Sequence, residues 1–125
     1  EAADVAQKYG VSVISLIAPT SEDRIKMIAS EAEGFIYIVS SMGVTGVRSE
    51  IKTDIGHIME AVKKYAKVPA AVGFGISKPE QAKKMADLSD GVIVGSAIVK
   101  LVAQYGSDAP DHIYEYVKSM KDAIR

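Results

Sequence analysis

Short β-branched runs alternate with longer amphipathic segments along the whole chain, and this alternation most restricts the fold. Val11–Ile17 (VSVISLI), Phe35–Val39 (FIYIV), Val68–Phe74 and Gly91–Val94 are short, apolar and bounded by Gly, Pro or Ser, so they read as strands. Between them apolar residues recur at helical spacing. Ile25, Ile28, Ala29 and Ala32 form one stripe, and Ile55, Ile58, Met59, Val62, Tyr65 and Ala66 form the next. A further helix carries Ala82, Met85 and Ala86, and a short one runs from Ser96 to about Tyr105. The last is opened by Pro110 and sets Ile113, Tyr116, Val117, Met120 and Ile124 on one face. Strands separated by helices pair in parallel, because the helix is the crossover that parallel pairing requires. Near-continuous apolar strands further imply a sheet covered on both faces.

Local signals punctuate these elements. Glu1–Tyr9 reads as a helix stopped by Gly10, so the chain is expected to begin inside an element, either with its start removed or as part of a longer protein. Thr20 and Ser21 are N-cap candidates for the second helix. Ser77-Lys78-Pro79-Glu80 reads as a capping box in which Ser77 accepts from the Glu80 N–H and Glu80 reaches back. Ser40–Thr53 has no period and contains Gly43 and Gly46; a loop of this length reads as a lid or ligand clamp, with a flexible connection as the ordinary alternative. The 125 residues suffice for one domain, 1–125, with no internal linker. A whole eight-fold β/α barrel needs about 250 residues. The pattern therefore leaves two architectures open: a doubly wound open sheet, or a segment of such a barrel.

Composition removes several function classes. Fifteen Lys and Arg against sixteen Asp and Glu leave no basic footprint for nucleic acid. The absence of cysteine excludes disulfides, thiol nucleophiles and cysteine zinc sites, and suits a cytoplasmic protein. No apolar run approaches the length of a membrane span. His57 falls off its helix stripe and His112 lies in a first helical turn, so both read as surface residues. No metal-ligand spacing is present among His, Asp and Glu, and no cofactor is expected.

The residues that suggest chemistry sit at strand ends. Gly73-Phe74-Gly75-Ile76-Ser77 closes the third strand, where glycines let a backbone approach a ligand. Gly95-Ser96 closes the fourth strand and opens a short helix, whose first N–H groups are free at the positive end of the helix dipole. Parallel strands place both turns at one sheet edge, the arrangement from which barrels build phosphate sites. Tyr37, in the second strand, can point into a barrel interior, with core packing as the ordinary alternative.

Tyr37-Ile38-Val39-Ser40, Gly43-Val44-Thr45-Gly46, Gly73 through Gln81, and Gly95-Ser96-Ala97-Ile98-Val99-Lys100 together resemble the tryptophan synthase alpha chain family, over its C-terminal half. The resemblance implies strands five to eight of a (β/α)8 TIM barrel, a half-barrel of parallel strands with outer helices. It implies a carbon–carbon lyase, independent of pyridoxal cofactors, that cleaves indole-3-glycerol phosphate to indole and glyceraldehyde 3-phosphate. By the same resemblance Gly46, Gly75, Gly95 and Ser96 hold the substrate phosphate. Tyr37, Phe74 and Ile93 line the indole pocket, and Gly43, Val44 and Thr45 belong to a mobile loop. The family's catalytic glutamate and aspartate lie in the other half of the barrel, so no catalytic residue is assigned in this chain. The implied partners are the N-terminal half of the same barrel, a tryptophan synthase beta chain and a small phosphate substrate. The isolated half is expected to be inactive and prone to self-association. A non-catalytic half-barrel, used as a binding or folding module as an engineered chain would be, is the alternative.

Overall fold

A computed structural model describes residues 2–40, 51–73 and 75–125. The element order is α1 (Ala2–Lys8), β1 (Ser15–Ile17), α2 (Glu22–Glu31), β2 (Ile36–Val39), α3 (Ile51–Tyr65), β3 (Ala70–Gly73), α4 (Pro79–Ala86), β4 (Gly91–Val92), α5 (Ser96–Tyr105), a 3-10 turn (Gly106–Asp108) and α6 (Ala109–Ala123). The four strands form one parallel sheet in sequence order, β1-β2-β3-β4.

That order decides between the two architectures. Parallel crossovers are right-handed, so strands added always on the same side carry every helix to the same face. A doubly wound sheet needs a reversal of strand order to place helices on both faces, and this sheet has none. The chain is a β/α half-barrel layer.

Burial follows the pleat. Ile17, Ile38 and Val72 share one register row, as do Ile36 and Ala70. All five are buried, beneath Ile25 and Ala29 of α2, Ile55, Ile58, Met59 and Val62 of α3, and Ala82 and Met85 of α4. The intervening row, Leu16, Tyr37, Ala71 and Gly91, faces the other way. Leu16 there is 60% exposed, while Tyr37, Ala71 and Gly91 are half-buried. The expectation of a sheet covered on both faces is thus corrected: the helices cover one face, and the face corresponding to a barrel interior is open.

Other boundaries differ from expectation for physical reasons. β1 spans Ser15–Ile17 rather than starting at Val11, because β2, the strand it pairs with, begins at Ile36; Val11 and Val13 are exposed. Helix α3 begins at Ile51, earlier than the apolar stripe suggested. The capping box is shifted by one residue. Proline lacks an N–H and its fixed φ suits the first helical position, so Pro79 takes that place and Lys78 becomes the cap. The residue reaching back is therefore Gln81, not Glu80: Gln81 Oε1 accepts from Ser77 N at 3.0 Å and Lys78 N at 3.1 Å. Pro110 lies in the first turn of α6, which starts one residue earlier, at Ala109.

Candidate functional site

The C-terminal ends of the strands gather the residues singled out in the sequence. Tyr37 lies on the open face of β2, and its ring covers Gly73 on the neighbouring strand. A Cβ built at Gly73 would collide with the Tyr37 Oη and Cζ and lie 2.8 Å from its Cε1. Glycine at position 73 is what lets the phenol lie flat against β3. Ser40, to which the sequence assigned no site role, secures the same junction. Its N–H and its Oγ both donate to the Gly73 carbonyl, at 3.0 and 2.9 Å, from a fully buried position. Its only sequence signal is a hydroxyl ending an apolar strand.

Past β3, Gly75 is exposed and adopts φ +75°, a conformation that glycine takes without steric cost. Gly95 and Ser96, also exposed, follow β4, the neighbour of β3. The first intrahelical bonds of α5 run from Ile98 N and Val99 N to Gly95 O, at 3.0 and 3.1 Å. The N–H groups of Ser96 and Ala97 precede them at the positive end of a 10-residue helix. Gly95, the N-cap, has no side chain to cap these groups, and a Cβ built there would meet nothing within 4 Å. The backbone is therefore open to an approaching anion. Ile93 is half-buried and donates its N–H to Val72 O at 2.9 Å, which extends β4 beyond Val92. The alternation then puts Ile93 on the open face with Gly91. Gly43, Val44, Thr45 and Gly46 fall outside the described residues, as does Phe74.

Supports come from behind. The Tyr116 hydroxyl of α6 donates to Ser77 O at 2.9 Å, fastening the turn that contains Gly75. Burial pushes the Tyr116 phenol above its ordinary pKa. Asp90 Oδ2 accepts from Ala70 N at 2.9 Å and anchors the start of β3. On the outer surface Lys64 is held above its ordinary pKa by the neighbouring Tyr65 hydroxyl and then by the Glu22 carboxylate, 3.7 Å away. The histidines stay off the site. His57 is exposed on α3, and exposed His112 stacks on Tyr105, with ring centroids 3.5 Å apart. Among the described residues no group of His, Asp and Glu is arranged to hold a metal ion, and no helix is long and apolar enough to cross a membrane.

A sequential parallel sheet whose crossover helices lie on one face defines half of a β/α barrel. Residues 1–125 match the family model described as tryptophan synthase alpha chain, and the chain belongs to that family. The alpha chain of Lacticaseibacillus casei is 49% identical over 124 residues, which is 99% of this chain and 47% of that protein. The alpha chain of Thermoanaerobacter sp. strain X514 is 49% identical over 121 residues, 46% of its length. The chain thus spans about half the length of the curated relatives it matches. Among solved structures, the tryptophan synthase α2β2 complex of Pyrococcus furiosus aligns with a TM-score of 0.77 at 33% identity, over 95% of this chain and 49% of the matched one. The alpha subunit from Campylobacter jejuni aligns with a TM-score of 0.75 at 31% identity, over 96% and 45%.

Proposed function

We propose that this chain supplies the phosphate subsite and part of the indole pocket of a tryptophan synthase alpha enzyme. The parent reaction is the carbon–carbon cleavage of indole-3-glycerol phosphate to indole and glyceraldehyde 3-phosphate. One observation carries the reading: the Gly75 turn and the Gly95–Ser96 helix start follow adjacent parallel strands, with accessible backbone at both. The phosphate is bound by backbone N–H groups at Gly75, Gly95 and Ser96, which carry no charge to be desolvated and suit a dianion at a helix start. By the family resemblance Gly46 joins the same subsite and Phe74 the indole pocket, and the indole lies on the open face against Tyr37 and Ile93.

The carboxylates that move protons belong to the complementary half of the barrel, and each such group contributes a factor of about 10² to 10⁴ in rate. This half alone therefore binds phosphate without turning substrate over. Its partners in the complete enzyme are that N-terminal half and a beta chain that receives indole. Titration with glycerol phosphate, followed by amide NMR, tests the subsite. Shifts at Gly75, Gly95 and Ser96 are expected, and silence there with shifts elsewhere would refute it. An indole-release assay with and without the complementary half tests the division of labour. Robust turnover by the 125-residue chain alone would mean that the proton-transfer groups are misplaced.

A further inference from the structure

The turn that carries Gly75 is held at both ends by groups distant in sequence. At its start the Gly73 carbonyl accepts from the Ser40 N–H and Oγ, at 3.0 and 2.9 Å. At its end side chains engage both backbone polar groups of Ser77. Gln81 Oε1 accepts from Ser77 N at 3.0 Å, and the Tyr116 hydroxyl donates to Ser77 O at 2.9 Å. Between these ends Ile76 is buried and Gly75 is exposed at φ +75°. Glycine has no Cβ to restrict its torsions, so the direction of the Gly75 N–H is set by the bonds that flank it. Tyr116 stands apart among them. It comes from α6, which packs against both α4 and α5. Helix α5 opens at Gly95–Ser96, the other part of the phosphate subsite. The Tyr116 ring packs against the core, and its hydroxyl alone reaches the turn.

We infer that Tyr116 is a positioning residue for the substrate phosphate: its hydroxyl holds the Gly75 turn in place against the start of α5, so that the N–H donors of both converge on one anion. This role rests on the phosphate-subsite reading. Tyr116 does not touch the substrate and acts through the Ser77 carbonyl. Donors that are fixed beforehand bind an anion without an ordering cost. Without the phenol, Ser77 O turns to water, and Gly75 is free to drift relative to Gly95 and Ser96. The loss falls on the phosphate end of the substrate. The indole, set against Tyr37 and Ile93, does not depend on that bond.

Tyr116→Phe removes the hydroxyl and keeps the packed ring. It is tested in the complete barrel, with this chain joined by its complementary half. Calorimetric titration should show glycerol phosphate binding weakened roughly 3- to 10-fold, the range for loss of one neutral hydrogen bond. KM for indole-3-glycerol phosphate should rise by the same factor, with kcat held within about twofold. Affinity for indole itself, which carries no phosphate, should stay as it was. Tyr114→Phe removes an exposed hydroxyl from the same helix and should change none of these values. Thermal melting identifies any variant that fails to fold. An unmodified barrel without affinity for glycerol phosphate would refute the subsite, and the role of Tyr116 with it. A barrel that binds glycerol phosphate would refute the role alone in three cases: Tyr116→Phe is indifferent, both ligands weaken alike, or kcat falls at constant KM.

Discussion

Replacing Gly73 by alanine should destabilise the chain, although nothing in its backbone forbids a side chain. Gly73 is not among the described glycines with positive φ, so alanine can adopt its conformation. In an unobstructed strand the change would stabilise by about 0.5–1 kcal/mol through lower chain entropy. The obstruction is Tyr37, whose Oη, Cζ and Cε1 occupy the space of the new methyl group. Forced overpacking of this kind costs about 1–3 kcal/mol. The net expectation is a loss of about 0.5–2 kcal/mol, from these two opposing effects. Tyr37→Phe should relieve little, because Cζ and Cε1 remain in place. Tyr37→Ala removes the ring, and in that background Gly73→Ala should become neutral or stabilising. The sign change is the signature of direct coupling between the two positions. Urea unfolding at one fixed protein concentration measures it. A Gly73→Ala cost below about 0.5 kcal/mol, or one that persists undiminished beside Tyr37→Ala, would refute the packing argument.

The two faces of the sheet should respond differently to truncation. Ile17→Ala, at a fully buried position, should cost about 2–5 kcal/mol in urea unfolding, whereas its 60% exposed neighbour Leu16→Ser should cost under about 0.5 kcal/mol. Burial holds the folded pKa of Tyr116 above the ordinary phenol value of 10.0, so the unfolded chain loses the phenolic proton first. Its contribution is therefore complete below pH 10 and is lost as the pH rises through the folded pKa, with Tyr116→Phe showing a flatter alkaline limb in stability measured against pH. Gln81→Ala removes the acceptor for two N–H groups at the start of α4 and should cost about 0.5–2 kcal/mol, read as a lower urea midpoint. In the glycerol phosphate titration, Gly95→Val should weaken binding more than Ser96→Ala, since a branched side chain blocks the approach to N–H donors that the hydroxyl does not supply.

Element order, parallel pairing and the extra short helix were legible because they rest on periodicity and on Gly, Pro and Ser punctuation. The turn at Gly75 and the place of Gly95 and Ser96 at the start of α5 were legible for the same reason. The open face was not. In FIYIV every residue is apolar, so the alternation of buried Ile36 and Ile38 with half-buried Tyr37 and Val39 is a property of register and leaves no trace in the composition. Strand length was also hidden: Val11 and Val13 have strand-forming side chains and lack a partner to pair with. The role of Ser40 depends on a carbonyl 33 residues away, and the collision between Tyr37 and Gly73 joins two strands across the sheet. Local pattern carries no such long-range information.

The neighbour-by-neighbour order of the strands also shapes how the chain can fold. Every strand pair closes a loop of roughly 20 to 35 residues, and the entropy of loop closure grows only as 3/2 RT ln n, so the widest pair costs only about 0.5 kcal/mol more than the narrowest. No step waits for distant parts of the chain to meet, which favours rapid folding. β2 and β3, paired over four residues and backed by α3, form the natural nucleus, and the outer strands add to it. Amide hydrogens should accordingly exchange slowest at Ile38 and Val72 and fastest toward β1 and β4, so the strands that must meet a partner are also those that open first.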